Sequence, residues 1–512
     1  MKYKILGCAA ALAIVVSSLM ASAADSGTGV SRVHQHLTAR QPDAGCDCDG
    51  SELCTHLPLV IINTGGQTIP GEVISEGEQV VDYTTTETGE REILVTIQTV
   101  EEDGVWHHPS DEADKSSQAF FRIRGNSSRR FDKKSYRIKL VENGDYEQKN
   151  PLALLGMNAD DDWALHGPFL DKTLMRNYMW MNISAEIMGY APDVRFCEVI
   201  LDGEYQGVYV LMETIKESTG RLDLSDYEDG AAESSYLLLM DAVEEVYFQG
   251  EEDMVTLDNY TWYTHRMEFS DVSFTGFEVL YPNELDLTEE LIDYIQRDVS
   301  TIERGLYSSD MLNGFYDYSA VLDVDSFVDY YILQEFLANN DAFSRSTYFY
   351  RDVRGKLSVG PVWDYNNVLN NFFITLSYGD FLLASRGWYG RLMTDEDFVE
   401  RVIHRYRQLR EGILSDEYLL GYIDDVIEYL GPAIERNDAV WGYSYDASNL
   451  SYGNARIPDP GHTLEDVNPT SYEDAVDRMK DYIQSRDRWL DAHIEDLRQF
   501  CHPSKTAAER VE

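Results

Sequence analysis

Apolar positions in the first half of the chain recur every second residue, and in the second half every third or fourth. LPLVIINT, beginning at Leu57 and followed by Gly65-Gly66, predicts the first strand. Alternation of β-branched or aromatic residues predicts further strands over Val80 to Thr86, Arg91 to Val100, Gln118 to Arg124 and Ser135 to Val141. A helix is expected from Asp171 to Met188. Two more strands follow, Phe196 to Leu201 and Gly207 to Met212, joined by a hairpin turn at Asp202-Gly203. Helical spacing then takes over: Thr288 to Leu306, Asp325 to Ala338, Asp397 to Leu409, Asp416 to Asn437 and Tyr472 to Leu497. Strands first and helices later is an α+β arrangement, the order of a small β-rich lobe followed by a larger helical lobe with a cleft between them.

One hairpin is set among the helices. The runs Ser346 to Arg351 and Lys356 to Val362 flank the turn Asp352 to Gly355. Asp341 precedes this hairpin, on a loop that begins where Asn339-Asn340 stops the helix carrying Phe327, Tyr330, Tyr331, Leu333 and Leu337. Asp364 follows it. A helix, a loop acid, a hairpin and a second acid is the order in which protein kinases carry their catalytic-loop and metal-binding aspartates, although no His-Arg-Asp, Asp-Phe-Gly or Ala-Pro-Glu is present.

Charge changes the picture twice. With 91 acidic against 42 basic residues the net charge is −49, which argues against nucleic acid or an anionic membrane as partner. Against that background, Arg122 to Lys139 holds eight basic residues and one acid, Asp132. Arg124, with Asn126 and Ser127 in the Gly-Asn-Ser-Ser loop that follows it, suits a polyphosphate. A hairpin whose long basic side chains cover its own apolar face fits equally well. If Tyr136, Ile138 and Leu140 face the core, Lys134 shares their side, whereas Lys133, Arg137 and Lys139 share the other. Lys134 is the first candidate for a phosphate lysine and Lys139 the reserve.

The ends of the chain and its cysteines bound the compartment. Met1 to Ala23 has Lys2 and Lys4, an apolar run from Ile5 to Met20 and a small-residue site Ala21-Ser22-Ala23, the pattern of a cleavable secretory signal. No later stretch has eighteen uncharged apolar residues, so stable membrane insertion is not expected. A secreted or cell-envelope protein with its mature start at Ala24 is the reading. Residues 24–56 read as a linker, 57–215 as the β-rich part, 216–500 as the helical part and 501–512 as a tail. Cys46, Cys48 and Cys54 cluster in that linker, where one local disulfide is expected in preference to a metal site short of four ligands. Cys197 reads as a core residue. Asp160-Asp161-Asp162 reads as a solvated turn. Arg176 and Asn177 either reach a ligand or fix their helix to the sheet. No His/Glu spacing points to zinc, no Gly-x-Ser-x-Gly to a hydrolase, and the 34 tyrosines leave carbohydrate platforms open.

Between Leu57 and Leu490 the chain resembles the CotH (spore coat protein H) kinase family of atypical exported protein kinases. The resemblance rests on RIRGNSSRRFDKKSYRIKL, LLGMNADDDWALHGPFLDKTLMRN, LDGEYQGVYVLMETIK, NNDAFSRSTYFYRDVRGKLSVGPVWDYN and RDRWLD, in that order. It implies a two-lobed kinase-like fold, ATP with Mg²⁺ or Mn²⁺, and phosphorylation of Ser or Thr in protein substrates. It implies Asp341 as the catalytic acid, Asp364 as the metal acid, and a hinge after Leu211-Met212-Glu213. Kinases place a metal-holding Asn five residues after the catalytic acid; that position is Ser346, with Asn366 or Asn340 as substitutes. The alternatives are a catalytically inactive kinase fold serving as a binding module, for which Ser346 speaks, and transfer of AMP instead of phosphate.

Overall fold

Period-two alternation produces strands that need a partner on each edge, and here seven of them satisfy one another in a closed ring. The computed structural model describes residues 32–76, 79–242, 275–307, 318–371, 378–450 and 462–501. The expected signal segment at residues 1–23 and the expected tail after Cys501 lie outside the described residues. Strand β1 (Leu59–Asn63) is followed by the small hairpin β2 (Val73–Glu76) and β3 (Gln79–Tyr83), then by β4 (Ile93–Val100), β5 (Lys115–Ile123), β6 (Tyr136–Val141), β7 (Asp162–His166), β8 (Val194–Leu201) and β9 (Glu204–Glu213). The barrel order is β1-β4-β5-β6-β7-β9-β8. All pairs are antiparallel except the closing one, in which β1 runs parallel to β8 from Leu59 opposite Glu198 to Ile62 opposite Leu201. Closure leaves no unpaired edge. The β-rich half is therefore a complete barrel.

Alternate residues fill the inside of the barrel, among them Val60, Ile62, Phe121, Ile138, Trp163 and Tyr209. Their neighbours Val194, Phe196, Val208, Val210 and Met212 point outward into a second core shared with the helices. Helix α1 (Arg176–Met188) lies in that second core. Eleven of its thirteen residues are buried, the polar Arg176, Asn177, Asn182 and Ser184 among them. It packs against β8 and against a later helix.

The helical half begins with β10 (Tyr236–Ala242) and β11 (Thr275–Tyr281), then α2 (Glu289–Tyr307), α3 (Val324–Phe336), β12 (Thr347–Arg351) and β13 (Ser358–Val359). The expected hairpin is present as β12 and β13, but it belongs to a four-stranded sheet, β11-β10-β12-β13. Helices α4 (Glu396–Arg410), α5 (Asp416–Leu430), α6 (Pro432–Trp441) and α7 (Tyr472–His493) complete the chain. The single helix expected from Asp416 to Asn437 is two, because Gly431 takes φ 46° and Pro432, lacking an N–H, starts a new helix. Among the described residues no helix is long and apolar enough to cross a membrane.

Two expectations are corrected by packing. Asp160, Asp161 and Asp162 do not form a solvated turn. Asp160 pairs with Lys216 at 2.6 Å and Arg221 at 3.3 Å, Asp161 with Lys216 at 3.1 Å, and Asp162 with Arg137 at 3.0 Å. Burial in the β7 entrance makes such partners obligatory. Nor do the linker cysteines form a disulfide: Cys46, Cys48 and Cys54 are free thiols, gathered with His108 from the loop between β4 and β5. Cys197 is the buried core residue the sequence predicts.

Candidate active site

Asp341 sits where α3 ends. Ala338 takes a left-handed φ of 48°, breaking the helix, and Asn339 N–H returns to the Gln334 carbonyl at 3.0 Å. The Asp341 carbonyl accepts from Ser344 N at 3.1 Å and Arg345 N at 2.8 Å, which closes a tight turn. Arg386 clamps the outside of this turn, donating to the carbonyls of Asn340 at 2.6 Å and Ala342 at 3.0 Å. The turn is held by its backbone. Among the described residues no hydrogen bond or ion pair engages the Asp341 carboxylate, and the residue is partly exposed.

Asp364 is itself left-handed, with φ 62° and ψ 60°, and precedes the 3₁₀ turn Tyr365–Asn367. Tyr365 is fully buried and ties the two acid loops together. Its hydroxyl accepts from Gln334 Nε2 at 2.9 Å; Gln334 Oε1 accepts from Asn339 Nδ2 at 2.7 Å; Asn339 Oδ1 accepts from Asp341 N at 3.1 Å. A backbone bond from Leu369 N to the Leu337 carbonyl, 2.9 Å, runs beside this chain. The loops thus form one hydrogen-bonded unit. Among the described residues, six of the eleven non-glycine residues with positive φ lie in them: Ala338, Phe343, Ser346, Asp364, Leu369 and Asn370. Such strain persists only where surrounding contacts over-determine the backbone, and it concentrates at functional sites.

Helix α1 fixes the second loop from the other side. Asn177 Oδ1 accepts from Tyr365 N at 2.7 Å, and Arg176 Nε donates to the Val368 carbonyl at 3.2 Å. Arg176 is in turn paired with buried Asp171, whose carboxylate also accepts from the Arg176 and Thr173 backbone N–H groups at the helix start. Asp171 is thus a helix cap and a counter-ion. Arg176, Leu369, Asn371, Tyr378 and Arg478 line a cleft of about 320 Å³.

The donor set suits a hard cation. Asn366 Oδ1 is buried and has no hydrogen-bond partner among the described residues, while its Nδ2 donates to Asn367 Oδ1 at 3.1 Å. An orphaned amide oxygen two residues from a carboxylate is the kind of ligand pair that Mg²⁺ or Mn²⁺ takes. Ser346 is brought to the start of β12 in a left-handed conformation.

Of the basic candidates, the structure carries Arg124 to the Trp363-Asp364 segment. Its guanidinium lies 5.2 Å from the centroid of the Trp363 ring, next to Asp364. Burial lowers the Arg124 pKa, and Tyr348 and Asp364 oppose that shift. Lys134 instead donates to the Arg129 carbonyl at 2.8 Å and pairs with Glu72 at 3.5 Å. Lys139 lies over the Tyr146 ring at 3.3 Å. Asn126 precedes, and Ser127 begins, a 3₁₀ turn held by buried Arg129. Glu213 accepts from Asp193 N at 2.8 Å and from the Tyr190 hydroxyl.

Three buried bases escaped sequence reasoning. Lys133, on the outer side by parity, is only 1% exposed because α6 covers that side; it donates to the Val208 carbonyl at 2.6 Å and Asn437 Oδ1 at 2.7 Å. Burial holds its pKa well below the usual lysine value. Lys172 donates to the Phe169 carbonyl at 2.8 Å and to Ser444, and burial pushes it down to about 7. His166 is pushed down to about 4, again by burial. A lysine within GPFLDKTLM, among apolar neighbours, was the available signal for Lys172.

The CotH kinase protein family matches residues 121–490, a span holding β6, α1, both acid loops and most of α7. The chain belongs to this family. No curated protein matches it. The CotH match begins near the end of β5, so β1 and β4, which close the barrel, and the Cys46 to Cys54 cluster come from sequence before it.

Proposed function

We propose that this CotH-family chain is an ATP-dependent protein kinase that transfers the γ-phosphate to Ser or Thr hydroxyls of exported or cell-envelope proteins. In this reading the barrel is the smaller lobe and the helical half the larger lobe of a kinase-like arrangement. The observation that carries it is the hydrogen-bonded path from Tyr365 through Gln334 and Asn339 to Asp341 N, which holds two acid loops in fixed relation as phosphoryl transfer requires.

Asp364 and Asn366 Oδ1 would hold the Mg²⁺ or Mn²⁺, with Ser346 as a further oxygen. When bound, that ion supplies positive charge to the ATP phosphates. Arg124, set against Trp363, is the cation best placed to add to it; Lys134 and Lys139 are engaged elsewhere. Asp341 orients the acceptor hydroxyl and takes its proton as the new O–P bond forms and the bond from the γ-phosphorus to the β–γ bridging oxygen breaks. Arg176 and Asn177 position the Asp364 loop and contact no reacting atom in this scheme.

ATP labelled at the γ or the α position, offered with Mg²⁺ or Mn²⁺ and a generic protein acceptor, tests the proposal. Transfer of γ-label supports it. Transfer of α-label means AMP transfer, and absence of both, with ATP bound, means an inactive binding module; either result overturns it.

A further inference from the structure

The segment before the barrel has little apolar surface to hold it, yet from Arg40 to Thr55 it runs along the loop between β4 and β5. Thr55 and His107 exchange backbone hydrogen bonds of 3.1 and 2.7 Å. Trp106 Nε1 donates to the Ala44 carbonyl at 2.7 Å, and Ser110 Oγ to Glu52 at 2.5 Å. Between these contacts, Cys46, Cys48 and Cys54 converge with His108, and their four ligand atoms all lie within 4.8 Å of one another.

We propose that Cys46, Cys48, Cys54 and His108 bind one Zn²⁺ as a closed structural site that staples this segment to the β4–β5 loop. The separations are close enough for four atoms to converge on one tetrahedral ion. Zinc–sulfur bonds of about 2.3 Å and zinc–nitrogen bonds of about 2.0–2.1 Å require ligand atoms about 3.5–3.8 Å apart. Cys46 Sγ lies 3.3 Å from His108 Nε2, a separation that small adjustment carries into that range. The thiols are not paired with one another, and three of them would leave one over if two were.

Two surrounding contacts serve the same end. Cys48 N–H points at Cys46 Sγ at 3.4 Å, a donor that stabilises a thiolate. Asp111 accepts from His108 N at 2.7 Å and lies 3.3 Å from His108 Nδ1, the carboxylate–histidine contact that leaves Nε2 free to bind a metal. Three sulfurs and one imidazole select Zn²⁺ over the oxygen-seeking ions expected at Asp364. Four protein ligands leave no open position, so the site holds structure and does no catalysis. It stands apart from the kinase reading.

Metal analysis of the full mature chain, by mass spectrometry on protein purified without chelators, is the test. One zinc per chain is expected, falling below a tenth in Cys54→Ser and in His108→Ala and unchanged in Cys501→Ser. Asp111→Asn should keep the zinc but weaken its affinity by about 10-fold or more. Should Cys54→Ser not fold, cobalt-substituted wild type gives a second readout: tetrahedral absorption bands with sulfur charge transfer, the latter stronger in His108→Cys. A disulfide between any two of the three cysteines by peptide mapping overturns the proposal. So do three freely alkylated thiols in metal-free, folded protein, and so does an octahedral cobalt spectrum.

Discussion

Asn177 Oδ1 accepts the backbone N–H of Tyr365 at 2.7 Å, so the first turn of α1 sets the conformation of the residue immediately after Asp364. Asn177→Ala leaves that buried N–H without a partner, at a cost of about 1–3 kcal/mol. A lower melting temperature is expected together with weaker metal-ATP binding. A variant that melts lower but binds metal-ATP normally would show that Asn177 supports the fold alone.

The two acids act on different steps and their variants should separate. Asp364→Ala is expected to lose metal-dependent nucleotide binding and transfer together. Asp341→Asn should keep nearly normal metal-ATP affinity by calorimetry while transfer falls by roughly 10²-fold or more. Equal loss of binding in both means that Asp341 is misassigned.

Arg124 and Lys134 make competing claims on the phosphates. Arg124→Ala is expected to weaken ATP binding tenfold or more, about 1.4 kcal/mol, because it removes the cation beside Trp363 and Asp364. Lys134→Ala loses its contacts with the Arg129 carbonyl and Glu72 and should lower stability more than affinity. The reverse order of ATP affinities returns the phosphate role to Lys134.

His166 makes the fold sensitive to acid. Its folded pKa, about 4, lies below the ordinary 6.5 because burial disfavours the charged ring, with Arg124 and Lys133 adding repulsion and Asp171 opposing. Between those values the unfolded chain binds a proton that the folded chain does not, so stability from this group rises with pH from about 4 to 6.5 and is lost as pH falls through that window. His166→Leu should show a smaller drop in melting temperature between pH 6.5 and 4.5. An identical drop in both proteins would falsify the assignment.

Much of the chain was legible because secondary structure is a local property. Alternation marked β4, β5, β6, β8 and β9, and the helical period marked α1 to α4 and α7 to within a few residues, with the small-residue break at Asn339-Asn340 placing Asp341 on a loop. The order of the motifs also carried the family, which needs no three-dimensional information. Strand β7 was missed because three aspartates at its entrance read as solvent-facing, and charge pairing with Lys216, Arg221 and Arg137 is a long-range matter.

Partner choice was settled only by the tertiary structure, since periodicity says which side of a strand is apolar and not what covers the other. Parity put Lys133 on the outer side of the barrel, and only the packing of α6 there, through Asn437, made that side an interior. Three cysteines predicted a disulfide until the β4–β5 loop brought His108 among them. Barrel closure depended on β1 finding β8, a parallel pairing with no local signature. Likewise the path from Tyr365 to Asp341 joins two segments far apart in sequence, each unremarkable alone. Hydrophobic burial is non-directional and selects a compact arrangement; the hydrogen-bonding groups it carries inside then select their partners by proximity.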